Sequence, residues 1–121
     1  VLAVAAAAVS FAAVSARPPA AYLETGAARV PLTVSSWCWA ARCGAPIARS
    51  RRTAFATRGA AVRITLSFAA TQVRLTVGGA AVHETTRGDV LTWRATRGGG
   101  ISLTATGVHG FVTYVGQLRL R

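Results

Sequence analysis

Lysine and methionine are missing from the 121-residue sequence, and acidic side chains nearly so: Glu24, Glu84 and Asp89 are the only three. That scarcity narrows the chemistry. A glycosidase sets two carboxylates across a cleft. Here two of the three carboxylates flank one short stretch, HETTRGD (83–89). Histidine is equally sparse. His83 and His109 stand 26 positions apart, which fits no familiar zinc-finger spacing. His83-Glu84 lacks the second histidine of a helical zinc-protease motif. Ser102, His109 and Asp89 can be named as a triad, but no G-x-S-x-G turn presents the serine. TRGGGIS (96–102) has neither the lysine nor the helix start of a phosphate loop. RGD at 87–89 is too short to carry weight. The inventory points away from an enzyme and offers no cofactor or metal site.

What is abundant is arginine. All fourteen basic side chains are Arg, giving a formal net charge of +11. Such an excess attracts polyanions, whether nucleic acid, lipid headgroups or acidic cell-surface polymers. Preference for Arg over Lys also fits GC-rich coding, which does not account for the shortage of acids. The chain is 52% hydrophobic and 14% charged, so it has the material for a core and does not read as disordered.

Residues 1–16, VLAVAAAAVSFAAVSA, are uncharged and small or apolar throughout. Val14 and Ala16 fit the small-x-small pattern of signal cleavage, with Ala20 as a second cut. The run is shorter than the about 20 residues a spanning helix needs. Residues 1–16 are therefore expected to be a signal-peptide-like segment, and an uncleaved signal is the only route to a membrane. Residues 17–29, with two prolines and no period, read as a linker.

Residues 30–121 read as one domain with a period of two. RVPLTVSS (29–36) puts Val30, Leu32 and Val34 on one face, and Pro31 suits an edge strand. AVRITLSF (61–68) alternates Val62, Ile64, Leu66 and Phe68 with Arg63, Thr65 and Ser67. QVRLTV (72–77), DVLTWRAT (89–96) and ISLTAT (101–106) do the same, and FVTYVGQLRLR (111–121) places Gly116 on its inward face, a sign of a bulge or a close neighbour. Gly78-Gly79 suits a two-residue hairpin. Six to seven short strands between Gly-rich turns predict an all-β, small antiparallel immunoglobulin-like sandwich, with a small β-barrel as the alternative.

SSWCWAARCG (35–44) holds both cysteines. Zinc would need two more ligands, and a thioredoxin-type centre wants two intervening residues. In an oxidising compartment Cys38 and Cys43 are expected to pair, which in so short a loop contributes roughly 2 kcal/mol. Reduced cysteines are the reading if the chain is not exported. Trp37 and Trp39 flank Cys38. One is expected in the core over the disulfide, and the other at the surface, under a loop or as a platform for a sugar ring or apolar partner.

ARSRRTAFATRG (48–59) is the best binding candidate. Arg49, Arg51, Arg52 and Arg58 crowd one loop, and guanidinium forks suit phosphate and carboxylate. Arg63, Arg74 and Arg94 extend that patch if their strands share a sheet. The bland alternative is a solvated loop.

The Ala-rich leader, SWCW (36–39) and TRGAAVRITLSF (57–68) together resemble small exported β-domain proteins of unassigned function from GC-rich bacteria. The likeness covers roughly residues 30–121 and implies no activity. The expectation is a secreted or envelope-associated module without catalysis, binding an anionic polymer or a protein partner. A nucleic-acid-binding barrel is second, although Phe68 and Trp93 sit in the inward register, away from a stacking face. A small extracellular enzyme is third.

Overall fold

Alternation governs the backbone of the computed structural model, which describes residues 17–26, 28–44 and 52–121. No helix occurs among the described residues, which form twelve strands. They are β1 (Ala21–Thr25), β2 (Ala28–Pro31), β3 (Thr33–Trp39), β4 (Arg42–Gly44), β5 (Thr53–Ala56) and β6 (Ala61–Leu66). Then follow β7 (Gln72–Val77), β8 (Ala80–Ala81), β9 (Thr85–Arg87), β10 (Val90–Arg94), β11 (Gly99–Gly107) and β12 (Gly110–Leu120).

One sheet has the order β2-β1-β6-β10-β9 and the other β4-β3-β12-β11-β7-β8, with β5 running parallel to β12. From β6 to β12 this is immunoglobulin connectivity: β6, β10 and β9 in one layer, and β12, β11, β7 and β8 in the other. The six to seven strands expected from the sequence counted 29–36 as one and none at 85–87; the described residues form twelve, divide 29–36 between β2 and β3, and add β9. Two hairpins, β1–β2 and β3–β4, extend one sheet each. Among the described residues both sheets end in unpaired terminal strands, so the fold is an open sandwich and the closed barrel does not apply.

The inward rows are the predicted ones. Val62, Ile64 and Leu66 of β6 and Leu91 and Trp93 of β10 face Leu75 and Val77 of β7, Ile101 and Leu103 of β11, and Val112, Tyr114 and Leu118 of β12, all buried. Gly116 continues the β12 row. A Cβ there would come within 2.6 Å of Leu32 Cδ2, so the glycine marks a close approach.

The segment read as a linker is corrected. Residues 17–29 contain β1 and the start of β2, and Leu23 of β1 is 0% exposed. Burying one leucine is worth about 1.5–3 kcal/mol, so these residues belong to the sandwich. Tyr114, also fully buried, extends this attachment by donating its hydroxyl to the Pro19 carbonyl at 2.6 Å. The stretch RVPLTVSS is likewise two strands. Leu32 donates its N–H to the Ala21 carbonyl, and the chain crosses there from one sheet to the other. The expected signal segment, 1–16, lies outside the described residues.

Candidate anion-binding corner

Two irregular stretches meet at one end of the five-stranded sheet, 57–60 after β5 and 95–97 after β10. Gly59 N–H donates to the Ala95 carbonyl at 2.8 Å, and Ala95 N–H donates to the Ala60 carbonyl at 2.9 Å. Two guanidiniums lock the junction reciprocally. Arg58 Nη1 donates to the Thr96 carbonyl at 2.8 Å, and Arg94 Nη1 donates to the Gly59 carbonyl at 2.9 Å. A guanidinium has five N–H donors. One bond fixes the orientation of each fork and leaves donors for an anion.

Arg63 joins them through sheet register. It lies opposite Thr92 on the exposed face, which makes Arg94 its diagonal neighbour at about 7–8 Å. Arg94 and Arg97, with His83, Thr96 and Trp93, line a cleft of about 430 Å³. An adjoining hollow of about 380 Å³ is walled by His83, Thr85, Thr92 and Arg94. Neither cleft has a carboxylate in its lining.

Charge on the far half of the same sheet is compensated. Glu24 on β1 stands between Arg29 on β2 and Arg63 on β6 in adjacent register. Its carboxylate accepts from Thr65 Oγ1 at 2.7 Å and from Arg63 Nε at 3.0 Å, and lies 3.7 Å from Arg29 Nε. The Thr65 hydroxyl, the Arg63 hydrogen bond and the charges of Arg63 and Arg29 hold it below the usual carboxylate range, against an opposing effect of burial. Arg29 also stacks 4.0 Å over the Tyr22 ring. Glu24 is thus a strand residue in a polar row, not part of a linker.

Of the loop arginines, Arg58 sits in this corner. Arg52 immediately precedes β5, where its carbonyl accepts from Gln117 N–H at 2.9 Å. Arg49 and Arg51 lie outside the described residues. Arg74 does not join Arg63 and Arg94. It is on β7, in the other sheet, opposite Thr104. His83 and Arg97 were missed from the sequence because both sit outside regular strands, where alternation assigns no face. Ser102, His109 and Asp89 are not assembled. Ser102 lies five residues along β11 from the turn that carries His109, about 17 Å, and Asp89 is in the turn before β10.

Cys38 and Cys43 face each other directly across the β3–β4 hairpin and are joined in a disulfide. That disposes of the zinc and dithiol alternatives for this pair. No group of three or more His, Cys, Asp and Glu able to hold a metal ion occurs among the described residues. The tryptophans are corrected. Both lie on the inner side of β3, opposite Val112 and Gly110 of β12, while Cys38 faces out. Residues two apart in a strand share a face. A bulge at Ser35 shifts the register between Ser36 and Val34, so Val34, Trp37 and Trp39 all turn inward. Trp39 is 6% exposed and packs on Phe68 (ring centroids 4.8 Å apart) and on His109 (5.7 Å). Trp37 lies across the α-carbon of Gly44, where no Cβ fits, and its Nε1 is buried without a partner among the described residues. Neither ring forms an exposed platform. The turn between the cysteines places Ala40 and Ala41 at φ of 52° and 65°, a left-handed conformation costly for alanine.

No family model, curated protein or solved structure matches the chain.

Proposed function

We propose that this chain is an extracytoplasmic, non-catalytic binding module that holds an anionic polymer through Arg58, Arg94 and Arg97. The observation carrying this reading is the reciprocal anchoring of Arg58 and Arg94 on backbone carbonyls beside a cleft without carboxylates. A merely solubilising arginine has no need of a fixed fork. Pre-orienting a side chain lowers the entropy lost on binding, and planar forks match phosphate, sulfate and carboxylate groups. The Cys38–Cys43 disulfide supports an oxidising compartment. Export through residues 1–16 completes the reading.

The test is a salt titration of binding to fluorescein-labelled heparin. Replacing the two backbone-anchored guanidiniums, Arg58→Gln with Arg94→Gln, lowers the slope of log K against log salt by about 2. Arg74→Gln, one charge on the opposite sheet, changes it by clearly less than half of that. Equal behaviour of the two variants would remove the corner from the account. Cell fractionation tests location separately, and recovery of the protein in the cytoplasm with both thiols reduced would overturn the extracytoplasmic assignment.

A further inference from the structure

Next to the 57–60 stretch of the arginine corner, the two sheets leave an open seam on the side where β2 ends one sheet and β5 borders the other. A groove of about 380 Å³ runs along it, with β5 on one wall and the β1–β2 hairpin on the other. Small side chains form much of the lining, Ala28, Val30, Ala54 and Ala56 among them. Phe55, 47% exposed, stands at the opening with the Arg121 guanidinium 5.0 Å over its ring.

Backbone register shows what this groove offers. Gln117 N–H donates to the Arg52 carbonyl and Arg121 N–H to the Ala56 carbonyl. With Leu118 opposite Ala54, the parallel ladder commits the peptide groups of residues 52, 54 and 56 to β12. In such a ladder alternate residues point the other way. The N–H and C=O of Thr53 and Phe55 therefore face away from β12, toward the groove, and no strand pairs with that edge among the described residues. An unpaired edge is a template for an added strand.

A second, independent sign comes from Thr25 at the end of β1. It lines the groove and is 6% exposed, yet its Oγ1 has no hydrogen-bond partner among the described residues. Buried hydroxyls are nearly always bonded. The charge of the occupant follows from the rim, where Arg121 is the only charged residue among the described residues that line the groove, in a chain of net charge +11.

We propose that this seam takes a short, extended, acidic segment of a partner protein as an additional strand beside β5. The segment's backbone pairs with Thr53 and Phe55, its small alternate side chains enter the groove, and its carboxylate meets Arg121. Four residues of β5 give a pairing length of about 13 Å, suited to a linear motif.

The probe is acetyl-Thr-Val-Asp-Val-Thr-Val-amide, titrated into the full isotope-labelled chain and followed by amide NMR. Shifts are expected at Thr53, Phe55 and Thr57 and at Thr25, with slowed hydrogen exchange of the Phe55 amide. The same peptide N-methylated at alternate residues should bind about tenfold more weakly, the loss of one or two backbone bonds. Phe55→Pro removes the free-edge donor while leaving the β12 ladder intact, and should weaken binding by about tenfold. Phe55→Ala retains the donor and should stay within about threefold of wild type. Replacing the peptide's aspartate by asparagine weakens binding to wild type but not to Arg121→Gln. If Phe55→Pro does not fold, the N-methylated peptide decides alone. Equal affinity of the methylated and plain peptides overturns the proposal. So do shifts confined to other edges, or no shifts at millimolar peptide. Concentration-dependent dimers that protect the same amides would assign the seam to a second copy and overturn the partner reading.

Discussion

Tyr114→Phe isolates one hydrogen bond that ties the start of the sandwich to its last strand. The phenol is 0% exposed and donates to the Pro19 carbonyl at 2.6 Å. Removing the oxygen leaves the ring packing unchanged. It costs the net worth of the bond, about 0.5–1.5 kcal/mol, plus part of the penalty for an acceptor left without a partner. Pro19 is only half-buried, so water meets some of that second cost, and the total is about 1–2 kcal/mol. For a domain near 100 residues this lowers Tm by about 5–10 °C. The pH dependence gives an independent check. Burial pushes the Tyr114 hydroxyl far above its ordinary range. The folded state therefore holds this proton more tightly than the unfolded one. The associated stability is complete below the unfolded value of about 10 and falls as pH rises beyond it, by up to about 1.4 kcal/mol per pH unit. Urea melts at pH 7.5 and 10.5–11 should show the wild type losing stability in that window. Tyr114→Phe should be weaker at neutral pH and flatter above pH 10. Amide exchange should quicken first in β1. Equal neutral-pH stability and parallel alkaline loss in the two proteins would refute the tether.

Replacing Ala40-Ala41 by Asn-Gly relieves two left-handed alanines in the hairpin turn and should stabilise the protein by about 1 kcal/mol, raising Tm in a differential scan. A lower Tm would show that the strain was misread. Glu24→Gln should cost less than about 1 kcal/mol at pH 7, because the carboxylate and its arginine partners are partly exposed. Its folded pKa is depressed, so the wild type's share of stability is present above the ordinary value of about 4.3 and is lost as pH falls through the folded value. Acid melts of the variant should lack that component, and identical acid profiles would discount the Thr65–Arg63–Arg29 cluster.

β6, β7, β10, β11 and β12 were legible because hydrophobic and polar positions alternate there, as in Val62, Ile64 and Leu66 against Arg63 and Thr65, whereas β9 is exposed throughout and has no such alternation. β1 was not legible either. Its inward row, Ala21, Leu23 and Thr25, contains one strong hydrophobe and follows two prolines, so the local signal is that of a connector. Burial of Leu23 is decided by β6, some 40 positions away, which no window sees. At β3 the single extra residue Ser35 reverses parity, and the faces of Trp37 and Trp39 are set by that insertion. The arginine corner was half visible. Arg63 and Arg94 fall on outward positions of obvious strands, whereas the anchoring of Arg58 on Thr96 spans 38 positions and depends on where two turns happen to meet. Side chains in turns, His83 and Arg97 among them, carry no periodicity to read.

One flank of β12 is shared by two different strands. Residues 110–115 lie against β3, and residues 117–120 against β5 in the opposite sense, while its other flank carries β11. Neither β3 nor β5 has a place in a sheet before β12 exists, and the partners of β12 are drawn from across the whole domain. A topology so dominated by distant pairings assembles slowly. A nascent chain lacking this keystone would hold its upstream hairpins as unassembled parts, exposed to proteases and chaperones until β12 clears the ribosome.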